Sequence, residues 1–278
     1  MNTPTARETL INAGRHWLSL TKPVVNARMD DPTPGSGIVD QRFPRGAEAA
    51  ARLKLAVRRA RYWARDYFYV TRRQLRGPLE REVPAGFASG DRATVVLLAG
   101  VLEPWTLLLP AAERLNLDGH PVHVVPELAY NLATLDAAAK LAMQAVVAKN
   151  LTGVILVAHS KGGLVGKRML ALDADGRLRG LIAIATPFHG SSMARLVPSR
   201  TIRALGPEDP AIQSLAKRSD LNPQITSIYP SFDPHIPDGS HLDGAVNIEV
   251  AAIGHFRVLK DAEVLDAVAA AAERLSQA

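Results

Sequence analysis

The sequence predicts an α/β protein built on a doubly wound, mostly parallel β-sheet. From residue 92 onward, short runs that are continuously apolar or rich in β-branched residues alternate with segments of helical periodicity. Continuous apolar runs are typical of parallel strands that are buried on both faces of a sheet. The chain has 278 residues, of which 47% are hydrophobic and 22% charged, so its length and composition suit a globular protein with a sizeable core.

The predicted strands and helices follow one another in the order that a wound sheet requires. Strands are predicted at residues 94–98, 121–125, 153–158, 178–185, 225–229 and 246–252. Helices are predicted at residues 105–115, 132–150, 162–172 and 260–275. Two shorter helices, at 193–197 and 210–217, lie within residues 188–222, which we expect to form a small helical cap over the strand ends. The longest apolar run is well short of the ~20 residues of a membrane span.

Residues 1–91 are predicted to form an N-terminal helical arm and linker, and residues 92–278 the α/β domain. The net charge of +6 is concentrated in a predicted helix at 42–76, in which eleven Arg and Lys residues are opposed only by Glu48 and Asp66, a balance of +9. Because the positive charge is confined to one segment, it does not describe the surface of the whole protein. A shorter helix, at 8–20, is predicted before it.

The basic helix at 42–76 is amphipathic. Its expected apolar stripe follows three- and four-residue steps through Leu53, Val57, Ala60, Ala64 and Phe68. We interpret the segment first as a solvated helix that packs on the domain. The second interpretation is peripheral membrane contact, because arginine and aromatic side chains suit anionic headgroups. We expect no nucleic-acid partner.

The absence of cysteine excludes several kinds of chemistry. It rules out disulfides, thiolate metal sites and a cysteine nucleophile. No basic start followed by an apolar run and a small-residue cleavage site marks a secretory signal. We therefore expect a cytoplasmic protein whose association with membranes is left open by the basic helix.

The strongest local signal surrounds Ser160, which comes directly after a predicted buried strand and directly before a predicted helix. The turn in such an arrangement is tight, so small residues are needed two positions before and two positions after the serine, and Ala158 and Gly162 meet this demand. The backbone amide of Lys161 then lies at a helix N-terminus, where it can stabilise a developing oxyanion. The alternative is a turn serine without a catalytic role.

Residues 157–163 read Val-Ala-His-Ser-Lys-Gly-Gly, which resembles the A/G-H-S-x-G-G elbow of bacterial lipases and esterases of the α/β-hydrolase fold. Residues 185–191 are similar to the T-P-H-x-G-S segment of these enzymes. Residues 233–237 are similar to their D-x-x-V-P loop, and residues 252–255 end in a similar Gly-His. The resemblance covers residues 92–278 and implies a serine hydrolase that cleaves carboxylic esters without a cofactor.

The resemblance implies a catalytic triad of Ser160, Asp233 and His255, in the chain order of this fold. Among the other histidines, His235 and His241 compete with His255 because they also follow a strand. Asp238 and Asp243 compete with Asp233 in the same loop, but Asp233 comes directly after the strand.

The acidic and histidine residues of this loop also permit a metal-site interpretation. The cluster consists of Asp233, His235, Asp238, His241 and Asp243. It lacks the i, i+4 histidine pair on a helix that makes such an assignment specific, so we predict no metal.

The resemblance further implies a second oxyanion donor in residues 99–105, after the first core strand. The amide of Val101 is the expected donor, with Leu102 as the alternative if the register shifts by one residue. The histidine that usually precedes the glycine of this loop is missing here. Lys161 stands where the family usually has an uncharged residue, and we expect its side chain to pair with Glu103 across the entrance.

The substrate is predicted to be a small-molecule or lipid ester. Leu102, Phe188 and Met193 are expected to contact it, because the cap of such enzymes normally lines the acyl or alcohol pocket. Two other functions remain open. One is acyl transfer with the same triad, and the other is a non-catalytic protein of this fold whose basic helix binds a membrane.

Overall fold

The computed structural model describes residues 45–76 and 83–277. The helix predicted at 8–20 lies outside these residues. The chain divides between Arg65 and Asp66 into two compact units, and the sheet, the site and the contacts described below belong to the second. This unit begins at Asp66, earlier than the boundary expected near residue 92.

The second unit is organised around one six-stranded parallel sheet. Its strands are β1 (Val95–Leu98), β2 (Val122–Val124), β3 (Val154–His159), β4 (Leu178–Ile184), β5 (Ile225–Phe232) and β6 (Val246–Ile253). They lie in the order β2-β1-β3-β4-β5-β6, and every neighbouring pair is parallel. The predicted doubly wound α/β fold is confirmed.

Seven α-helices occur in the described residues. They are α1 (Arg45–Arg76), α2 (Leu109–Leu117), α3 (Leu135–Ala148), α4 (Lys161–Leu172), α5 (Arg200–Arg203), α6 (Pro210–Ala216) and α7 (Ala262–Gln277). The helix predicted at 105–115 is a 3₁₀ turn, Trp105–Leu108, followed by α2. The reason is Pro110, which has no amide hydrogen for an α-helix that would run through it, but fits the first turn of α2.

The central strands of the sheet, β1 and β3, are buried on both faces. Successive residues of β3 point to opposite faces, so that Leu156 and Ala158 belong to one apolar cluster, and Ile155 and Val157 to the other. Helices α3 and α4 contribute to the first cluster, and α2 and α7 to the second. Burial on both faces explains why these central strands read as continuous apolar runs in the sequence.

The segment 188–222 contains more helix than expected. It holds a 3₁₀ turn, Ser192–Leu196, and the helices α5 and α6. Its apolar side chains, including Ala194, Leu205, Ile212 and Leu215, join the cluster that also contains α3 and α4. The segment is therefore anchored in the core through one apolar side.

Helix α1 follows the predicted limits closely, but its expected apolar stripe is exposed. All five residues of the stripe are exposed: Leu53, Val57, Ala60, Ala64 and Phe68. Among the α1 side chains of the second unit whose burial is described, Asp66 and Val70 are buried. Position 66 lies two residues from positions 64 and 68, which is nearly the opposite side of a helix. Within the described residues, no helix is long and apolar enough to cross a bilayer.

Candidate active site

Ser160 occupies a sharp turn between β3 and α4. Its backbone angles are φ 52° and ψ −123°, a combination that non-glycine residues rarely adopt. The turn brings α4 so close to the sheet that a Cβ at Gly162 would lie 2.0 Å from the carbonyl oxygen of Leu98. A Cβ at Gly163 would lie 2.0 Å from Thr186 Oγ1. Glycine at these two positions is therefore a steric requirement of the turn.

Three polar side chains meet at the carboxyl ends of the strands. Ser160, Asp233 and His255 follow β3, β5 and β6 respectively, which are parallel, so their ends lie along one edge of the sheet. The Nε2 atom of His255 lies 3.0 Å from Ser160 Oγ, and its Nδ1 lies 2.7 Å from Asp233 Oδ2. The second oxygen of Asp233 accepts backbone hydrogen bonds from His235 and Ile236, at 2.8 and 3.2 Å.

This arrangement is suited to moving a proton from a hydroxyl group to an imidazole. Burial alone would lower the pKa of His255, but the charge and hydrogen bond of Asp233, together with the charges of Glu103 and Asp66, outweigh burial and raise it. Burial acts in the opposite direction on Asp233, but His255 lowers its pKa overall. The carboxylate therefore stays ionised and stabilises the protonated form of His255.

The competing histidines are not in position to accept a proton from Ser160. Burial and the neighbouring His255 lower the pKa of His235 to about 3, and its Nε2 lies 2.8 Å from the hydroxyl group of Tyr67. The side chain of His241 is 60% exposed and lies 3.5 Å from Asp243.

The competing carboxylates also lie elsewhere. The side chain of Asp243 is 98% exposed. Asp238 accepts a hydrogen bond from the backbone amide of Ser192, at 2.7 Å, and so holds the start of the cap.

A second buried pair lies beside the first. The Nδ1 atom of His159 is 2.8 Å from Glu103 Oε2, and both side chains are almost completely buried. The Nε2 atom of His159 donates to the carbonyl oxygen of His255, at 3.0 Å. Glu103 Oε2 also accepts the amide of Gly100, at 2.8 Å. The pair therefore connects the loop after β1 to the backbone of His255, which the sequence did not indicate.

The expected ion pair between Lys161 and Glu103 does not form, and this prediction is wrong. The Nζ atom of Lys161 donates to the carbonyl oxygens of Asn131 and Ala133, at 2.7 and 2.5 Å. Glu103 uses its oxygens for Gly100 and His159 instead. Burial lowers the pKa of Lys161 to about 8. The lysine thus connects the start of α4 to the loop that contains Asn131 and Ala133.

The loop after β1 lies close to the turn at Ser160. A Cβ at Gly100 would overlap the Glu103 side chain, at 2.5 Å from Oε1, so the close approach of the carboxylate requires glycine. Leu102 has a positive φ of 61°, and its amide donates to the carbonyl oxygen of Tyr130 at 2.8 Å. Because that amide is already engaged, Leu102 is not suited to the role of alternative oxyanion donor, and Val101 remains the expected one.

The three residues expected to contact the substrate differ in exposure. Phe188 is 2% exposed and belongs to the apolar cluster that anchors the cap. Leu102 and Met193 are partly exposed. Leu102 and Met193 thus offer surface to a ligand, whereas Phe188 is buried in the core.

The cluster considered as a metal site is dispersed. Of its members, Asp233 and His235 lie near His255. A second group with suitable ligand atoms consists of Glu103, His159 and His255. His255 is common to both groups, and its two ring nitrogens already lie within hydrogen-bond distance of Ser160 and Asp233. A metal ion in either group would have to displace one of these hydrogen bonds.

Asp66 is a further buried residue at this site that the sequence did not indicate. It is one of two acidic residues in a basic helix, and its carboxylate contacts the backbone at His255. The available signal was weak: a lone acidic residue within a helix otherwise rich in arginine.

Comparison with solved structures identifies the fold. The described part of the chain is similar to lipase B of Aspergillus fumigatus, with a TM-score of 0.53 and 18% identity, over 66% of this chain and 53% of that one. It is also similar to an extracellular α/β-hydrolase of a Paenibacillus species, with a TM-score of 0.46 and 17% identity over 67% of this chain and 100% of that one. The chain therefore has the α/β-hydrolase fold.

Sequence comparisons add nothing to this assignment. No family model matches the chain. No curated protein matches it either. At identities below 20%, the structural likeness defines the fold, and the function has to be argued from the residues of the site.

Proposed function

We propose that the protein is a serine hydrolase that cleaves carboxylic esters through an acyl-enzyme on Ser160. The observation that carries the proposal is the hydrogen-bonded series in which Ser160 Oγ lies 3.0 Å from His255 Nε2 and His255 Nδ1 lies 2.7 Å from Asp233. These distances place the three groups within hydrogen-bond reach of one another, in the order that acyl transfer requires.

In the proposed reaction, His255 removes the proton of Ser160 as the serine oxygen attacks the ester carbonyl. The backbone amides of Val101 and Lys161 stabilise the oxyanion that forms. The alcohol leaves with the proton from His255, and the ester bond is replaced by a bond between the acyl group and Ser160. A water molecule then repeats the sequence and releases the acid. The triad itself requires no cofactor.

The first test is a series of p-nitrophenyl esters of rising acyl-chain length, assayed with the wild-type protein. We expect hydrolysis that depends on chain length, because the partly exposed side chains of Leu102 and Met193 offer apolar surface. Failure to hydrolyse every ester of the series would contradict the proposal. Adding a primary alcohol to the same assay distinguishes acyl transfer, since transfer produces a new ester in place of the free acid.

Helix α1 supports a second proposal, that the protein binds an anionic membrane surface. The apolar side chains of Leu53 and Val57 are 65% and 51% exposed, and the basic segment 42–76, which includes α1, has a charge balance of +9. Basic residues near an anionic bilayer contribute on the order of 1 kcal/mol each, and exposed apolar side chains add to this attraction.

Sedimentation with lipid vesicles tests the membrane proposal. We expect the full chain to bind vesicles of phosphatidylcholine and phosphatidylserine, and to bind pure phosphatidylcholine much more weakly. The double variant Leu53→Asp, Val57→Asp should lose binding. Leu117→Asp is the matched control, because Leu117 is 86% exposed on α2. Equal binding by the double variant and this control would overturn the proposal.

A further inference from the structure

The carboxylate of Asp66 accepts hydrogen bonds from three consecutive backbone amides. These are the amides of His255, Phe256 and Arg257, at 3.0, 3.0 and 2.9 Å. Asp66 itself is completely buried. Its partners lie about 190 positions away in the sequence, so the contact joins helix α1 to the loop that carries the proposed general base.

The three amides need a partner because they lie at the start of a 3₁₀ turn, Arg257–Lys260. The first amides of a helical turn have no partner within it, and a nearby serine or aspartate normally supplies one. Here no side chain of the turn's own cap residue, Phe256, makes that bond. Asp66 takes its place from another element.

The neighbouring backbone is adapted to this carboxylate. Gly254 has a φ of 108°, and a Cβ at this position would lie 2.7 Å from Asp66 Oδ1. Any side chain at position 254 would therefore push the carboxylate away from the amides. Burial raises the pKa of Asp66 despite its three amide partners. A buried carboxylate is costly to the fold, so its presence here calls for a compensating role.

The contact with Asp66 completes the set of hydrogen bonds that holds His255 in place. Its amide is held by Asp66, and its carbonyl oxygen by His159. Its ring nitrogens lie within hydrogen-bond distance of Asp233 and Ser160. The backbone of His255 is thus hydrogen-bonded through both its amide and its carbonyl group, and the imidazole has little freedom to move away from Ser160.

We propose that Asp66 is a positioning residue. It holds the His255 loop where the imidazole can reach Ser160, and it places a negative charge near the imidazole. This role rests on the function proposed above. It makes the end of α1 part of the catalytic unit, although the sequence places the helix in a separate arm.

Because Asp66 is charged, replacing it should change the pKa of His255 as well as the stability of the protein. Asp233, Asp66 and Glu103 each raise the pKa of His255, and the other ionisable groups facing it are His159 and His235. Removing one negative charge lowers the pKa of an imidazole. Because the base must be neutral to accept a proton, the acidic limb of kcat/KM should then move to lower pH.

The test compares Asp66→Asn with the wild type, and with Asp243→Asn as the matched control on an exposed side chain. Asparagine has nearly the same shape, but it carries no charge and turns an N–H₂ group toward amides that need an acceptor. We expect kcat/KM to fall on the order of 10²-fold, because small displacements of a catalytic group have effects of this size. The NMR titration of the His255 ring should shift to lower pH in Asp66→Asn only.

The titration does not depend on turnover, so the two proposals are tested separately. A wild type without esterase activity would refute the proposed function, while the His255 titration would still report on Asp66. Asp66→Glu covers the case in which Asp66→Asn does not fold. This variant keeps the charge at a displaced position, so it should keep the His255 titration but lose rate. A folded Asp66→Asn with reduced thermal stability and an unchanged His255 titration would overturn the inference.

Discussion

Replacing Ser160 or His255 with alanine should lower kcat/KM for a p-nitrophenyl ester by roughly 10⁴- to 10⁶-fold. Without Ser160 no acyl-enzyme can form, and without His255 the hydroxyl proton loses its acceptor, since Nε2 is the imidazole atom 3.0 Å from Oγ. The double variant should be scarcely slower than either single variant, because the two residues act as one unit. Steady-state kinetics of the three variants measures both effects.

The matched control is His241→Ala, which removes an exposed histidine of the loop after β5. It should keep nearly the full wild-type rate. If Ser160→Ala retained wild-type turnover, or if His241→Ala lost as much activity as His255→Ala, the triad assignment would be wrong.

Replacing Asp233 with asparagine should lower kcat on the order of 10⁴-fold without preventing folding. The carboxylate accepts the Nδ1 proton of His255 at 2.7 Å, which leaves Nε2 free to accept the proton of Ser160. An asparagine amide can instead donate to Nδ1, and this favours the tautomer with its proton on Nε2. In that tautomer the imidazole is a poor base toward the serine.

Asp238→Asn provides the comparison for this variant, because Asp238 was the competing acid in the same loop and contacts the amide of Ser192. We expect it to stay within a few-fold of the wild-type rate. Thermal unfolding of both variants establishes that they are folded. Comparable losses in Asp238→Asn and Asp233→Asn would remove the reason for assigning the acid to Asp233.

The central strands β1 and β3 were predictable because they are buried on both faces, which leaves a continuous apolar run such as residues 153–158. The turn at Ser160 was predictable for a similar reason: its sterics admit only small neighbours, and Gly162 has to fit within 2.0 Å of a carbonyl oxygen. Local packing constraints of this kind leave a visible trace in a single sequence.

Contacts between distant segments leave no comparable trace. Asp66 contacts the His255 loop, which lies 189 positions away in the sequence, and the residues around position 66 do not indicate this partner. The partner of Lys161 was predicted wrongly for the same reason. Opposite charge favoured Glu103 as the partner of Lys161. In the fold, two backbone carbonyl groups lie close to Lys161 and accept its hydrogen bonds instead. The buried contact of His159 with Glu103 was likewise visible only in three dimensions.

Covalent labelling with a fluorophosphonate tests most directly whether His255 activates the hydroxyl group of Ser160. Mass spectrometry of the digested wild type should find the phosphonyl adduct on Ser160, and His255→Ala should react far more slowly. Labelling at another residue, or an equal rate of Ser160 labelling in His255→Ala, would contradict the claim.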